Sequence, residues 1–181
     1  MVNEAAIVQR VISGDVAPFS QLVERYQKPL FVFVRNLLGE SHICEDLVQE
    51  TFFAAYKNLA AFDEQRSAFS TWLFTIARNK SLNELRSRKR RERLTSDSAS
   101  VANQAISRDD ISESELFSSL DKALADLPIE ERTTFILIEL AGLTAREVAQ
   151  MDELKESSVR SRLSRGRAKL REILDLHGGK K

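Results

Sequence analysis

What most constrains this chain is the spacing of its apolar residues. They return at every third or fourth position, run after run, with almost nothing to interrupt a helix. Phe19, Leu22, Val23, Tyr26, Leu30, Phe33, Val34 and Leu37 form one such series, and Leu47, Val48, Phe52, Phe53 and Tyr56 another. That period places apolar side chains along one helical face. The chain has no convincing alternating runs that would mark strands, and only six Gly and three Pro among 181 residues. An all-α protein is expected, and its 43 % apolar content is enough for packed cores.

End signals divide the pattern into elements. Asn3 suits the cap of a short helix ending at Gly14, and Asp15 that of a longer helix with Pro18 in its first turn, stopped by Gly39. Ser41 suits the next cap, for a helix to about Leu59. After a loop over 61–67, Ser67 or Ser70 starts a helix to about Leu94. The stretch 95–111 is rich in Ser, Asp and Asn, net acidic, and reads as a flexible linker. Beyond it, helices are expected over 114–125, 129–141, 145–151 and 156–176. Thr144 and Glu147 form the pattern of a capping box. The expected organisation is therefore two small helical domains, 1–94 and 112–181, joined by the linker 95–111.

The charge is not spread evenly. The chain is neutral, with 27 basic and 27 acidic residues. Yet Ile76–Arg93 holds eight Lys/Arg against two acids, and Lys155–Arg171 seven against one. Two concentrated basic faces on separate helical units point to a polyanion touched in two places. In the second unit, a short capped helix, a tight turn and a basic helix with the stripe Val159/Leu163/Leu170/Leu174 describe a helix-turn-helix. The stripe would dock on Val148 and Leu143. The outward positions near the helix start are then Ser158, Arg160, Ser161, Ser164 and Arg165, with Arg162, Arg167 and Lys169 toward the flanks. Arginine's fork matches guanine O6 and N7, so Arg160 and Arg165 are the candidate base readers. The flanking cations would hold phosphates.

The same residues carry a family resemblance. Ala123–Pro128, Glu131-Arg132, Ala141–Thr144, Glu147–Ala149 and Val159–Arg167 resemble the promoter −35-reading domain of bacterial sigma factors of the extracytoplasmic function (ECF) group. Glu45–Phe52 resembles that family's polymerase-binding helix, and Phe69–Asn79 its −10-melting segment. The resemblance implies that Asp46, Leu47, Gln49, Glu50 and Phe53 dock on the clamp of the largest subunit of core RNA polymerase. It implies that Ser67, Phe69, Trp72, Ile76, Asn79, Lys80, Asn83 and Arg86 meet single-stranded −10 DNA, the loop 62–69 capturing an unstacked base. Arg88, Lys89, Arg90, Arg91 and Arg93 would add sequence-blind phosphate binding. An anti-sigma factor is a further implied partner. The family's turn carries Gly where this chain has Glu153, and Pro or Ser where it has Lys155, so a distorted turn and a shifted start of the last helix are expected.

Other classes find little support. The lone Cys44 excludes an intrachain disulfide and fits a reducing compartment. Neither a signal peptide nor membrane insertion is expected, which fits a bacterial cytoplasmic protein. His42 and His177 lie far apart, and no metal-ligand spacing, phosphate-cradling loop or catalytic constellation is evident, so no metal, cofactor or enzymatic activity is expected. The alternative that stays open is a stand-alone helix-turn-helix regulator with an N-terminal sensor or dimerisation module.

Overall fold

The computed structural model describes residues 3–39, 41–95 and 114–178, and among them there is no strand. The helices are α1 Glu4–Ile12, α2 Phe19–Leu38, α3 Ser41–Lys57, α4 Phe69–Thr95, α5 Ser114–Ala125, α6 Ile129–Phe135, α7 Ala145–Asp152 and α8 Glu156–Gly178. The all-α reading holds. Most of the expected linker lies outside the described residues.

Several ends form as local chemistry dictates. The Ala6 amide donates to Asn3 Oδ1 at 3.2 Å, capping α1. Gly39 ends α2 with φ +82°, the left-handed region where a missing Cβ costs nothing. Around Thr144 the capping box closes both ways. The Glu147 amide donates to Thr144 Oγ1 at 3.2 Å, and the Thr144 amide to Glu147 Oε2 at 2.8 Å.

Two local expectations fail. Asp15 does not cap α2. Its carboxylate takes Arg10 at 2.6 Å, in the last turn of α1, and α2 starts only at Phe19 after a turn over Val16–Pro18. The Arg10 guanidinium gives the Asp15 carboxylate two N–H donors, from Nε at 3.0 Å and Nη2 at 2.6 Å, in place of a helix amide. Nor is 129–141 one regular helix. After α6 the chain widens into a π turn over Ile136–Leu140, with the Ala141 amide donating to the Ile136 carbonyl at 2.9 Å. Leu140 is thereby left 38 % exposed while Ile136 and Leu137 are fully buried.

The core begins where α2, α3 and α4 meet. Leu22, Leu30, Phe33, Leu73 and Phe74 have no meaningful exposure there, and the Phe33 and Phe74 rings meet edge to face at 5.6 Å. The same apolar cluster continues into Ile136, Leu137, Val148 and Val159 of the second unit. α2 packs on the π turn and on α5, and α4 packs on α7. Ala123, Leu124, Leu127 and Leu170 form a smaller satellite core between α5 and α8. The two helical units thus share a core, which periodicity within either unit could not reveal.

Polar groups fasten this contact. The Thr71 hydroxyl of α4 donates to Glu147 Oε1 at 2.7 Å, and Arg78 of α4 reaches Asp152 at 2.7 Å. Arg132 donates to the Leu37 carbonyl at 3.3 Å and also to the Ala125 carbonyl, supplying end groups of α2 and α5. Burial lowers the Arg132 pKa from its ordinary value, and the Asp126 charge partly opposes the shift.

Candidate nucleic-acid interface

α4 presents the first basic run. Trp72, Ile76, Asn79 and Asn83 share one side, as spacings of four, three and four require. Asn79, Asn83 and Arg86 are exposed, while Trp72, Ile76 and Lys80 are half-buried. Arg86 donates to Asn83 Oδ1 at 3.2 Å. Lys80 pairs with Glu50 of α3 at 2.8 Å, linking the expected −10 face to the expected docking face.

Phe69 has to be corrected. It is 2 % exposed, packed against Tyr26, Phe62 and Trp72 with ring centroids 5.6–5.9 Å apart, and has no face left for a base. An aromatic at a loop end reads the same in sequence whether it stacks on DNA or anchors the loop, and this one anchors. Ser67 is half-buried in the turn that precedes α4, where its amide donates to the Asp63 carbonyl at 3.3 Å. Beside that loop lies a pocket of about 220 Å³ lined by Ala5, Val8, Gln9, Phe62, Asp63, Glu64 and Gln65. Further along α4, Arg88 also turns inward. It takes Glu84 at 3.1 Å and donates to the Leu38 carbonyl at the end of α2, a structural role rather than the expected phosphate contact.

On α3, Asp46, Gln49, Glu50 and Phe53 are exposed together, Phe53 to 59 %, with the Lys57 ammonium 4.3 Å from its ring centre. Leu47 departs from this set. It is 8 % exposed and belongs to the core, since it projects to the helix's inner side.

The helix-turn-helix is α7, the turn Glu153-Leu154-Lys155, and α8. The expected distortion does not occur. Glu153 adopts φ 54° and ψ 40°, the left-handed conformation in which the family's glycine sits more easily, and α8 starts at Glu156. Val159 and Leu163 face inward with Leu170, and Ser158, Arg160, Ser161, Ser164, Arg165 and Arg167 are exposed. Arg162 and Lys169 are half-buried at the edges.

Most of these cations have an internal carboxylate partner. Arg160 takes Glu156 at 2.6 Å, Arg162 takes Asp152 at 3.1 Å, and Arg167 takes Glu139. Glu131 of α6, 7 % exposed, holds both Arg165 at 3.1 Å and Lys169 at 3.0 Å. Burial opposes ionisation of Glu131, but Lys169 and Arg165 outweigh it and hold its carboxyl below the ordinary range. Exposed pairs such as Arg160–Glu156 are worth about 0.2–1 kcal/mol, so a phosphate displaces them cheaply.

Comparison with known proteins decides the family. Residues 22–91 match the family described as Sigma-70 region 2, and residues 117–170 match Sigma-70, region 4. The sigma factor SigW of Bacillus subtilis (strain 168), an ECF RNA polymerase sigma factor, is 30 % identical over 92 % of this chain and 94 % of its own length. This chain belongs to the ECF group of RNA polymerase sigma factors. The ECF sigma-E factor of Haemophilus influenzae is 34 % identical over 91 % of the chain and 92 % of its own length. Among solved structures, RpoE bound to the anti-sigma factor NepR from Bartonella quintana superposes with a TM-score of 0.74 at 31 % identity, covering 88 % of this chain and 98 % of that one. CnrH in complex with the cytosolic domain of CnrY superposes with a TM-score of 0.74 at 27 % identity, covering 94 % and 96 %. As a sigma factor, the protein directs promoter-specific initiation of transcription.

Part of the candidate site has no local signal in the sequence. Asp152 joins Arg78 of α4 to Arg162 of α8, and no local pattern marks it. Glu147 was legible as a capping residue but not as the partner of Thr71, 76 positions away. Burial works against the ionised Glu147, yet hydrogen bonds from the Thr144 amide and from the Thr71 and Thr144 hydroxyls outweigh it and lower its pKa. Arg146 is exposed in the first turn of α7, and the first helix of helix-turn-helix proteins in general crosses the DNA backbone. Among the described residues no helix is long and apolar enough to cross a membrane.

Proposed function

We propose that this sigma factor docks on the clamp of core RNA polymerase through Asp46, Gln49, Glu50 and Phe53. In this reading Trp72, Ile76, Asn79, Lys80, Asn83 and Arg86 contact the opened −10 strand. The pocket beside Phe62 is large enough to receive an unstacked base. In α8, Arg160 and Arg165 read the −35 duplex with Ser158, Ser161 and Ser164 beside them, and Arg162, Arg167 and Lys169 hold phosphates. Arg146 adds a phosphate contact. The domain bounds 1–94 and 112–181, with a linker at 95–111, belong to the same proposal, as do a cytoplasmic location and action without catalysis of its own. Two of the superposed relatives were solved with an anti-sigma factor or a partner's cytosolic domain, and an anti-sigma factor is proposed for this chain as well.

The observation that carries the reading is the opposite charge of its exposed faces. An acidic and aromatic patch on α3 meets the basic face of α4 at the Lys80–Glu50 pair, and a second basic face lies on α8, so a basic partner and a polyanion each have a complementary surface. Asp46→Arg tests it, leaving Glu50 in place for Lys80. Like charge against a basic clamp surface should weaken core polymerase binding at least tenfold with unchanged helicity. Unchanged co-purification with core polymerase would sink the docking assignment.

A further inference from the structure

Among the acids paired with α8, Glu131 is set apart by holding two of its cations. It lies on α6, and its side chain is 9 % exposed, against 31 % for Glu139, the partner of Arg167. A Cβ at Gly166 would stand 3.5 Å from the Glu131 carbonyl oxygen, so α6 and α8 cross at this point. The carboxylate emerges from the crossing toward the basic face. Oε1 accepts from Arg165 Nε at 3.1 Å, and Oε2 pairs with Lys169 Nζ at 3.0 Å.

The atom that Glu131 holds on Arg165 is the informative one. A guanidinium offers donors along its Nε edge and at its Nη1/Nη2 end. With Nε taken by a buried, anchored carboxylate, the end pair remains, on a side chain 58 % exposed. Guanine O6 and N7 accept such a two-pronged end. An arginine on the outer face of a helix otherwise samples many rotamers, and ordering it on binding weakens discrimination. The same carboxylate neutralises Lys169, reducing the sequence-blind attraction of the face.

We infer that Glu131 is a positioning residue for −35 readout, aiming the Arg165 fork at a base while weakening the hold of Lys169 on its phosphate. It raises discrimination at the cost of general affinity. The inference rests on the assignment of Arg165 as a base reader.

The test uses holoenzyme and a panel of duplex promoter fragments with single-base −35 substitutions, together with a duplex of unrelated sequence. Arg165→Ala first identifies the base pair whose preference relaxes. Glu131→Gln should then lower discrimination at that same pair, about three- to tenfold, without altering the others. Binding to the unrelated duplex should tighten, and the slope of log K against log salt should steepen by up to about 0.9 as Lys169 is released. Glu131→Gln combined with Arg165→Ala should show the profile of Arg165→Ala alone. Glu131→Asp, which keeps the charge, should restore part of the discrimination. A merely structural role predicts the opposite sign, with weaker binding to every duplex, unrelated DNA included, and an unchanged base profile. That result, with Arg165→Ala still relaxing one pair, overturns the inference alone. If Arg165→Ala relaxes no pair, the base-reader assignment fails and the inference falls with it.

Discussion

Removing Asp152 tests the contact between the two helical units most severely. Its carboxylate lies 2.7 Å from Arg78 Nη2 of α4 and 3.1 Å from Arg162 Nη1 of α8. The side chains are 7 %, 19 % and 24 % exposed, respectively. Asp152→Ala leaves two arginines facing each other without their shared counter-charge. Breaking a fully buried pair from one side costs about 3–5 kcal/mol. Both arginines keep some water contact, so about 2–3 kcal/mol is expected here. Arg78→Ala cuts only the arm between units and leaves Asp152 with Arg162, so about 1–1.5 kcal/mol is expected, toward the exposed-pair range. Urea unfolding measures both, and the double substitution should reveal a coupling of about 1 kcal/mol. The corresponding loss in Tm for Asp152→Ala is about 5–10 °C. A fall in the urea slope would add that the units now unfold separately. If Asp152→Ala lies within about 0.5 kcal/mol of the parent, the range of an ordinary surface change, the contact between the units does not hold the free chain together.

Two further outcomes follow from single side chains. Burial, then the hydrogen bond to Glu4 at 2.6 Å and that carboxylate's charge, push the Tyr26 phenol up to about 12 from 10.0. Because the folded pKa is the higher one, its contribution is complete below pH 10 and is lost as pH rises toward 12. The parent should lose roughly 2 kcal/mol more than Tyr26→Phe across that window, and equal losses would contradict the burial argument. At the turn before α8, Glu153→Gly should gain about 0.5–1 kcal/mol by relieving the left-handed strain, net of the added freedom of the unfolded chain. Thermal unfolding reads this gain, and a loss would mean that the Glu153 side chain contributes more than its backbone costs.

The helices were legible because local rules and burial agree. Val159, Leu163 and Leu170 face inward as their period requires, and Asn3, Thr144 and Gly39 end or start helices as their chemistry requires. Asp15 misled because a cap and an ion pair compete for the same carboxylate, and only geometry shows which donor is nearer. The π turn at Ile136–Leu140 was hidden because one extra residue per turn barely disturbs a three-and-four pattern. Glu153 is unsuited to its place, but the chain retains the turn and bears the strain instead of distorting. Exposure at the candidate site followed from periodicity for Ser161, Ser164 and Arg165, as did the burial of Leu47, but the same period failed for Phe53 and Tyr56, which are 59 % and 41 % exposed, and it says nothing of Phe69, whose surroundings are set by other helices. Contacts between units, such as Thr71 with Glu147, depend on how two separately patterned faces meet, which neither pattern encodes alone.

Transcription in vitro bears most directly on the central claim. Core RNA polymerase, purified free of sigma factors, is given this chain and a library of promoter fragments, and the 5′ ends of the transcripts are mapped. Starts are expected only when chain and core are both present, downstream of a shared pair of upstream elements, one of which Arg165→Ala relaxes. Duplex binding by the chain alone on a palindrome, with no core-dependent starts, would contradict that claim and favour a stand-alone regulator.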